Sequence, residues 1–137
     1  MKATARRQGA ESFTHTVSIG EHELTIDEPP EQGGADLGPS PQELLAASLA
    51  GCTAITIEMY AKRKGWDLPD VEVEAEYEQG ERGAPTKYTL TIRLPAGLSD
   101  EQIERLSVIA AKCPVHRTLD GDAIFEELIE TVPPASS

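Results

Sequence analysis

Between Leu44 and Ile57 the chain carries no charge, and a cysteine stands near the middle of that run. The residues on either side turn the run into one long helix. Ser40 suits the N-cap, Pro41 the first helical position and Glu43 the third, which completes a capping box. Gly65 suits the position just past the end, and Lys62, Arg63 and Lys64 complement the negative end of the helix dipole. The helix so bounded covers 41–64 and extends about 36 Å. Leu45, Leu49, Cys52, Thr56 and Met59 fall on one stripe. Leu44, Ala47, Ala54 and Ile57 widen the stripe until most of the circumference is apolar, which calls for burial on several sides. A chain of 137 residues makes one domain with a modest core. A partner subunit is therefore expected to cover part of this helix.

The net charge of −12 sets the chain against nucleic acid and anionic membranes, so neither is expected as a partner. The basic triplet at 62–64 is too short to reverse that. No apolar segment follows the basic residues of the N-terminus, so it does not read as a signal peptide. The uncharged run of 44–57 is too short to span a bilayer. These features read as a cytoplasmic protein. Two cysteines in such a chain are not expected to form a structural disulfide; they are small core residues or they are chemistry.

The remaining segments are mostly β. "FTHTVS" sets Phe13, His15 and Val17 on one face, and "HELTID" groups His22, Leu24 and Ile26. Gly20-Glu21 between them fits a two-residue hairpin turn. The stretch 28–41 is rich in proline and glycine and reads as a loop. "VEVEAEYEQ" and "TKYTLTIRL" alternate strictly, which predicts an antiparallel pair with one wet face, Lys87 and Arg93 facing the glutamates. A second helix starts at Ser99, whose capping box is closed by Gln102. Ile103, Leu106, Ala110 and Cys113 share its buried face, and Pro114 ends it. The segment "DAIFEELIETV" fits helix or strand equally well, and the tail 133–137 is expected to fray.

Cys52 and Cys113 each lie on the core face of a different helix, so their sulfurs could meet. Three readings stand side by side. Both thiols could simply fill core volume. They could form a redox pair, one thiolate attacking a peroxide and the other capturing the resulting sulfenic acid. Or Cys52, Cys113, His116 and His15 could ligate zinc, although the usual paired spacing is missing. Placing Cys113 at a helix C-terminus disfavours its thiolate, which assigns Cys52 as attacker. His116 and Arg117 are candidates for polarising a substrate oxygen or steadying a thiolate, and for capping the preceding helix. Glu43 reads first as a cap, with a possible second role in orienting a cation near Cys52.

"GGADLGPSPQELLAASLAGCTAITIEMYAKRKG" followed by "CPVHRTL" resembles the OsmC/Ohr family, and most closely its OsmC-like branch. The resemblance implies an α+β fold in which two intertwined chains wrap antiparallel sheets around two long central helices. It makes the last segment a strand, and the whole of 1–137 one OsmC-like domain. It implies a homodimer acting as a thiol-dependent peroxidase, with Cys52 peroxidatic and Cys113 resolving, and sites at the dimer interface. Hydroperoxides are then the substrates, and an external dithiol, such as the dihydrolipoyl group of a protein, the reductant. No metal or prosthetic group is implied. Two positions depart from the pattern: Gln42 stands where the peroxidases carry a glutamate, and the N-terminal hairpin lacks their thiolate-stabilising arginine. The competing reading is a non-enzymatic thiol redox sensor, or a protein binding a small apolar ligand, on the same fold.

Overall fold

The structure is a computed structural model, described here over residues 1–133. Three strands open the chain: β1 (Ala3–Arg7), β2 (His15–Ile19) and β3 (His22–Ile26). They form an antiparallel meander in the order β1-β2-β3. Ile19 pairs with His22, and Gly20 makes the intervening turn at φ 59°, a conformation that glycine adopts without strain. Strand β1 was not foreseen. All its residues are exposed, so it carries no apolar alternation and is held by its pairing with β2.

The connection from β3 to the long helix is pinned by one buried carboxylate. Asp27 accepts hydrogen bonds from the Thr14 hydroxyl at 2.8 Å and the backbone N–H groups of Glu28, Ala35 and Leu37 at 2.7, 3.4 and 3.2 Å. Burial raises its pKa, and these donors together outweigh it, so the carboxyl ends below its usual value. The loop passes so close to β3 that a Cβ on Gly38 would lie 2.2 Å from the Thr25 carbonyl oxygen.

Helix α1 (Pro41–Lys64) has the boundaries that its punctuation predicts. Ser40 Oγ accepts the Glu43 N–H at 3.2 Å, and the Glu43 carboxylate accepts the Ser40 N–H at 2.9 Å. Gly65 closes the helix in the left-handed region. The buried face differs from the expected stripe: it runs through Leu49, Thr53, Ile57, Tyr60 and Ala61. Leu45, Ile55 and Met59 remain exposed. The apolar circumference left both faces eligible for burial, and the packing of α2 and β4 chose between them.

Strands β4 (Glu72–Glu78) and β5 (Lys87–Arg93) form the predicted antiparallel pair, with every second residue exposed. Arg93 bridges Glu72 at 2.9 Å and Glu74 at 3.2 Å, exposed contacts that add little stability. Helix α2 (Asp100–Ala110) starts at the Ser99–Gln102 capping box and buries Leu106, Ile109 and Ala110, while Ile103 stays exposed. The core is centred on Ile57, Tyr60, Leu106, Ile109 and Ala110, with Trp66, Leu68, Ile92, Leu94 and Leu98 packed around it.

Two expectations are corrected. Pro114 does not end α2, which stops at Ala110; it begins a further helix, α3 (Pro114–Asp120), with Cys113 as its N-cap. The segment 122–132 is neither helix nor strand within the chain. It runs without regular structure, with Ile124, Phe125, Leu128, Ile129 and Val132 more than 80% exposed. A strand needs a hydrogen-bonding neighbour, and the described residues offer it none. The β1–β3 meander likewise packs only marginally against the rest. Apart from Pro133, the tail expected to fray lies outside the described residues.

Candidate active site

The site forms where α1 passes the N-terminus of α3. Cys52 projects from mid-α1 and is partly buried; Cys113, fully buried, precedes Pro114; both are free thiols. They interact directly, each perturbing the other's ionisation in opposite directions. For Cys52, burial raises the pKa. Polar contact with the Cys113 thiol, the Val115 N–H and the Thr56 side chain outweighs burial, so the pKa is lowered. For Cys113, burial and the Cys52 contact both push the pKa up. The His116 N–H, Thr53 and the Val115 N–H only partly oppose them.

The His116 N–H donates to Cys113 Sγ at 3.4 Å. The Thr53 hydroxyl, fully buried, lies beside Cys113 without an ordinary hydrogen-bond partner among the described residues. The largest lowering contact on Cys52 is the Cys113 thiol, and backbone N–H groups at the start of α3 reach both sulfurs. Pro114 supplies the reason: as first residue of α3 it has no N–H to leave unpaired, and the next two N–H groups turn toward the sulfurs. No charged side chain contributes to the lowered pKa of Cys52. Sequence reasoning missed this use of α3 because it read Pro114 as a terminator. The Cys-Pro pair also fits N-cap followed by N1, and that was the available signal.

The other candidates fall around this pair. His116 is half-buried one residue beyond Val115. Arg117, next to it, is exposed. Glu43 is engaged in the capping box, and its position in the helix puts it about 13 Å along the axis from Cys52. His15 is part of β2, its Nδ1 within 2.8 Å of the Phe13 carbonyl oxygen. Among the described residues no three His, Cys, Asp or Glu side chains gather as metal ligands, so the four-residue zinc set does not assemble. Arg7, the arginine nearest the hairpin, donates to the carbonyls of Ser12 and Ala10 at 3.1 and 2.6 Å.

An α+β chain with two small antiparallel sheets, a long apolar helix and a thiol pair at a helix N-terminus defines a class of cysteine-bearing protein. The chain belongs to the OsmC-like protein family, whose profile matches residues 33–127, a range that contains both cysteines. No curated protein sequence matches it with significance. Solved structures share the fold. A Psychrobacter arcticus protein, described as an osmotic-stress-induced and detoxification-response protein, superposes with a TM-score of 0.73 at 22% identity, covering 86% of this chain and 87% of that one. An OsmC organic hydroperoxide resistance protein from Legionella pneumophila gives 0.66 at 24% identity, covering 88% and 90%. The organic hydroperoxide resistance protein OhrB of Bacillus subtilis gives 0.61 at 24%, covering 88% and 90%.

Proposed function

We propose that this protein is a cysteine-based peroxidase reducing organic hydroperoxides. The observation that carries the proposal is the contact between a thiol of lowered pKa, Cys52, and a buried thiol of raised pKa, Cys113. Peroxide attack needs a thiolate, and resolution needs a second thiol within reach. The Cys52 thiolate forms a bond to the terminal oxygen of ROOH as the O–O bond breaks; with one proton taken up, the products are a sulfenic acid and ROH. The Cys113 thiol then displaces water from the sulfenic acid, giving the Cys52–Cys113 disulfide. An external dithiol restores both thiols and leaves as its own disulfide. Membership of the OsmC-like family, and the resistance to organic hydroperoxides named for the Legionella and Bacillus proteins, favour this reading.

The proposed working unit is a homodimer, placed in the cytoplasm. Its support is the surface that one chain leaves bare: the outer face of α1, the marginally packed meander and the extended apolar segment 122–132. So large an exposed apolar surface marks an interaction site. By length and composition α1 would also suffice to cross a membrane, but its family and its packing against α2 and β4 favour a core helix.

The test is thiol counting after one equivalent of cumene hydroperoxide. The expected result is rapid loss of both thiols, with formation of the Cys52–Cys113 disulfide. Survival of both thiols, or a Cys52→Ser variant that consumes peroxide equally well, overturns the proposal. Glu43→Gln and Arg117→Ala belong in the same assay. Measuring Tm beside the rate separates a capping role of Glu43 from a chemical one.

A further inference from the structure

A cavity of about 380 Å³ opens where the C-terminal end of α1 meets α2. Its size falls within the roughly 300–1,000 Å³ of small-molecule sites. Tyr60, Trp66 and Val108 give it apolar walls, and Lys64 and Arg105 give it charge. Tyr60 follows Cys52 by about 12 Å along the axis of α1. The cysteine mechanism makes no use of any of these residues.

The charge is unusual for this chain. Acidic residues outnumber basic ones by 24 to 12, yet three cations gather on one phenol. The Tyr60 ring centroid lies 5.6 Å from Lys64 Nζ, 5.6 Å from Arg105 Cζ and 5.9 Å from Arg63 Cζ. Arg63 and Lys64 also serve the negative end of α1. Arg105 has no such reason to be there, since it comes from the middle of α2. On a helix surface its ordinary partner is Glu101, one turn earlier. It donates instead to the Tyr60 hydroxyl, through Nε at 2.9 Å. Among the described residues the ion pairs all involve Arg93, so none of the three cations is paired with a carboxylate. The Tyr60 oxygen accepts from Arg105, and its own proton has no acceptor among the described residues. The Arg105 hydrogen bond and the surrounding charges outweigh burial and hold the phenol pKa below its usual value, which makes that O–H a stronger donor.

We infer that this cavity binds a compact aryl monocarboxylate, its carboxylate held by Lys64, Arg105 and the Tyr60 hydroxyl and its ring laid against Trp66 and Val108. Tyr60 and Trp66 already meet edge to face, with centroids 5.6 Å apart and planes at 71°, and an aromatic guest extends that arrangement. Charge-assisted donors converging on a carboxylate are the stronger kind of hydrogen bond. Glu101 and Glu104 also line the cavity, and they disfavour a ligand of higher negative charge. The site is separate from the thiol pair and does not depend on the peroxidase reading.

Phenylacetate is the probe. Trp66 is the chain's only tryptophan, so binding to the reduced full-length protein is read by its fluorescence and by the NMR shift of its indole N–H. Saturable binding is expected, about tenfold or more tighter than that of 2-phenylethanol, which lacks the charge, or of acetate, which lacks the ring. Arg105→Gln and Lys64→Gln should each weaken it about tenfold, the loss of one charge-assisted hydrogen bond. Lys62→Gln removes the same charge from the same helix end without lining the cavity, and should leave the affinity within about twofold of wild type. Folding of each variant is checked by circular dichroism. Lys64 is exposed, so Lys64→Gln carries the test should Arg105→Gln fail to fold. Absence of saturable binding, equal affinity for 2-phenylethanol, or equal losses in Lys62→Gln and Lys64→Gln overturns the inference. Whether Cys52 reacts with peroxide has no bearing on the outcome.

Discussion

Cys52 and Cys113 are perturbed in opposite directions for one shared reason: a proton held between two sulfurs can favour the anion of only one. Cys52 takes that anion because the polar groups around it outweigh its burial. Cys113, fully buried, keeps its proton more firmly and is the weaker nucleophile of the two. This asymmetry has a pH signature. With its pKa lowered, Cys52 should stay reactive as pH falls below the ordinary thiol range of about 8.5. Alkylation by iodoacetamide should show a lower pH midpoint for Cys52 than for Cys113, read by peptide mass spectrometry. Cys113→Ala removes one of the donors and should move the Cys52 midpoint upward. The sequence expects Cys113 to be the less acidic thiol because it places that residue at a helix C-terminus; the structure puts it at a helix N-terminus, and burial with the Cys52 contact raises its pKa instead.

The secondary-structure elements show a sharper division. Helix α1, the β4–β5 pair and both capping boxes were readable because their signals are local: Ser-x-x-Glu, Ser-x-x-Gln, and strict alternation of apolar with polar residues. Strand β1 and helix α3 were not. The first lacks any apolar pattern and exists through β2; the second opens on a cysteine, an uncommon N-cap beside the usual serine, threonine and aspartate. Which face of α1 turns inward also escaped periodicity, since nearly every face is apolar. The inner face meets α2 at Leu106, which has no exposed surface. Truncating it should leave a cavity and cost about 2–5 kcal/mol, measurable as a reduced urea midpoint for Leu106→Ala with α1 still formed by circular dichroism.

At the scale of the whole molecule, one chain is left with apolar surface it cannot bury. Residues 122–132 present five large apolar side chains to solvent, and α1 presents Leu45, Ile55 and Met59. Adding the segment as a strand to a second copy would satisfy its backbone and cover its side chains together. Wild-type protein should therefore sediment as a dimer at micromolar concentration. Truncation after Gly121 should give a monomer or an aggregate, with exposed apolar surface reported by dye binding; a truncated chain that remains a stable dimer would refute this role. The sequence by itself determined that a long, capped helix with an uncharged middle forms over 41–64, because propensity, capping and hydrophobic pattern act over a few residues and are written there. It also determined that two thiols share the interior with that helix. Only the tertiary structure decided that they interact and that the turn after Cys113 aims backbone N–H groups at them. Those facts depend on approaches between residues some sixty positions apart, and no local signal encodes a distance of that kind.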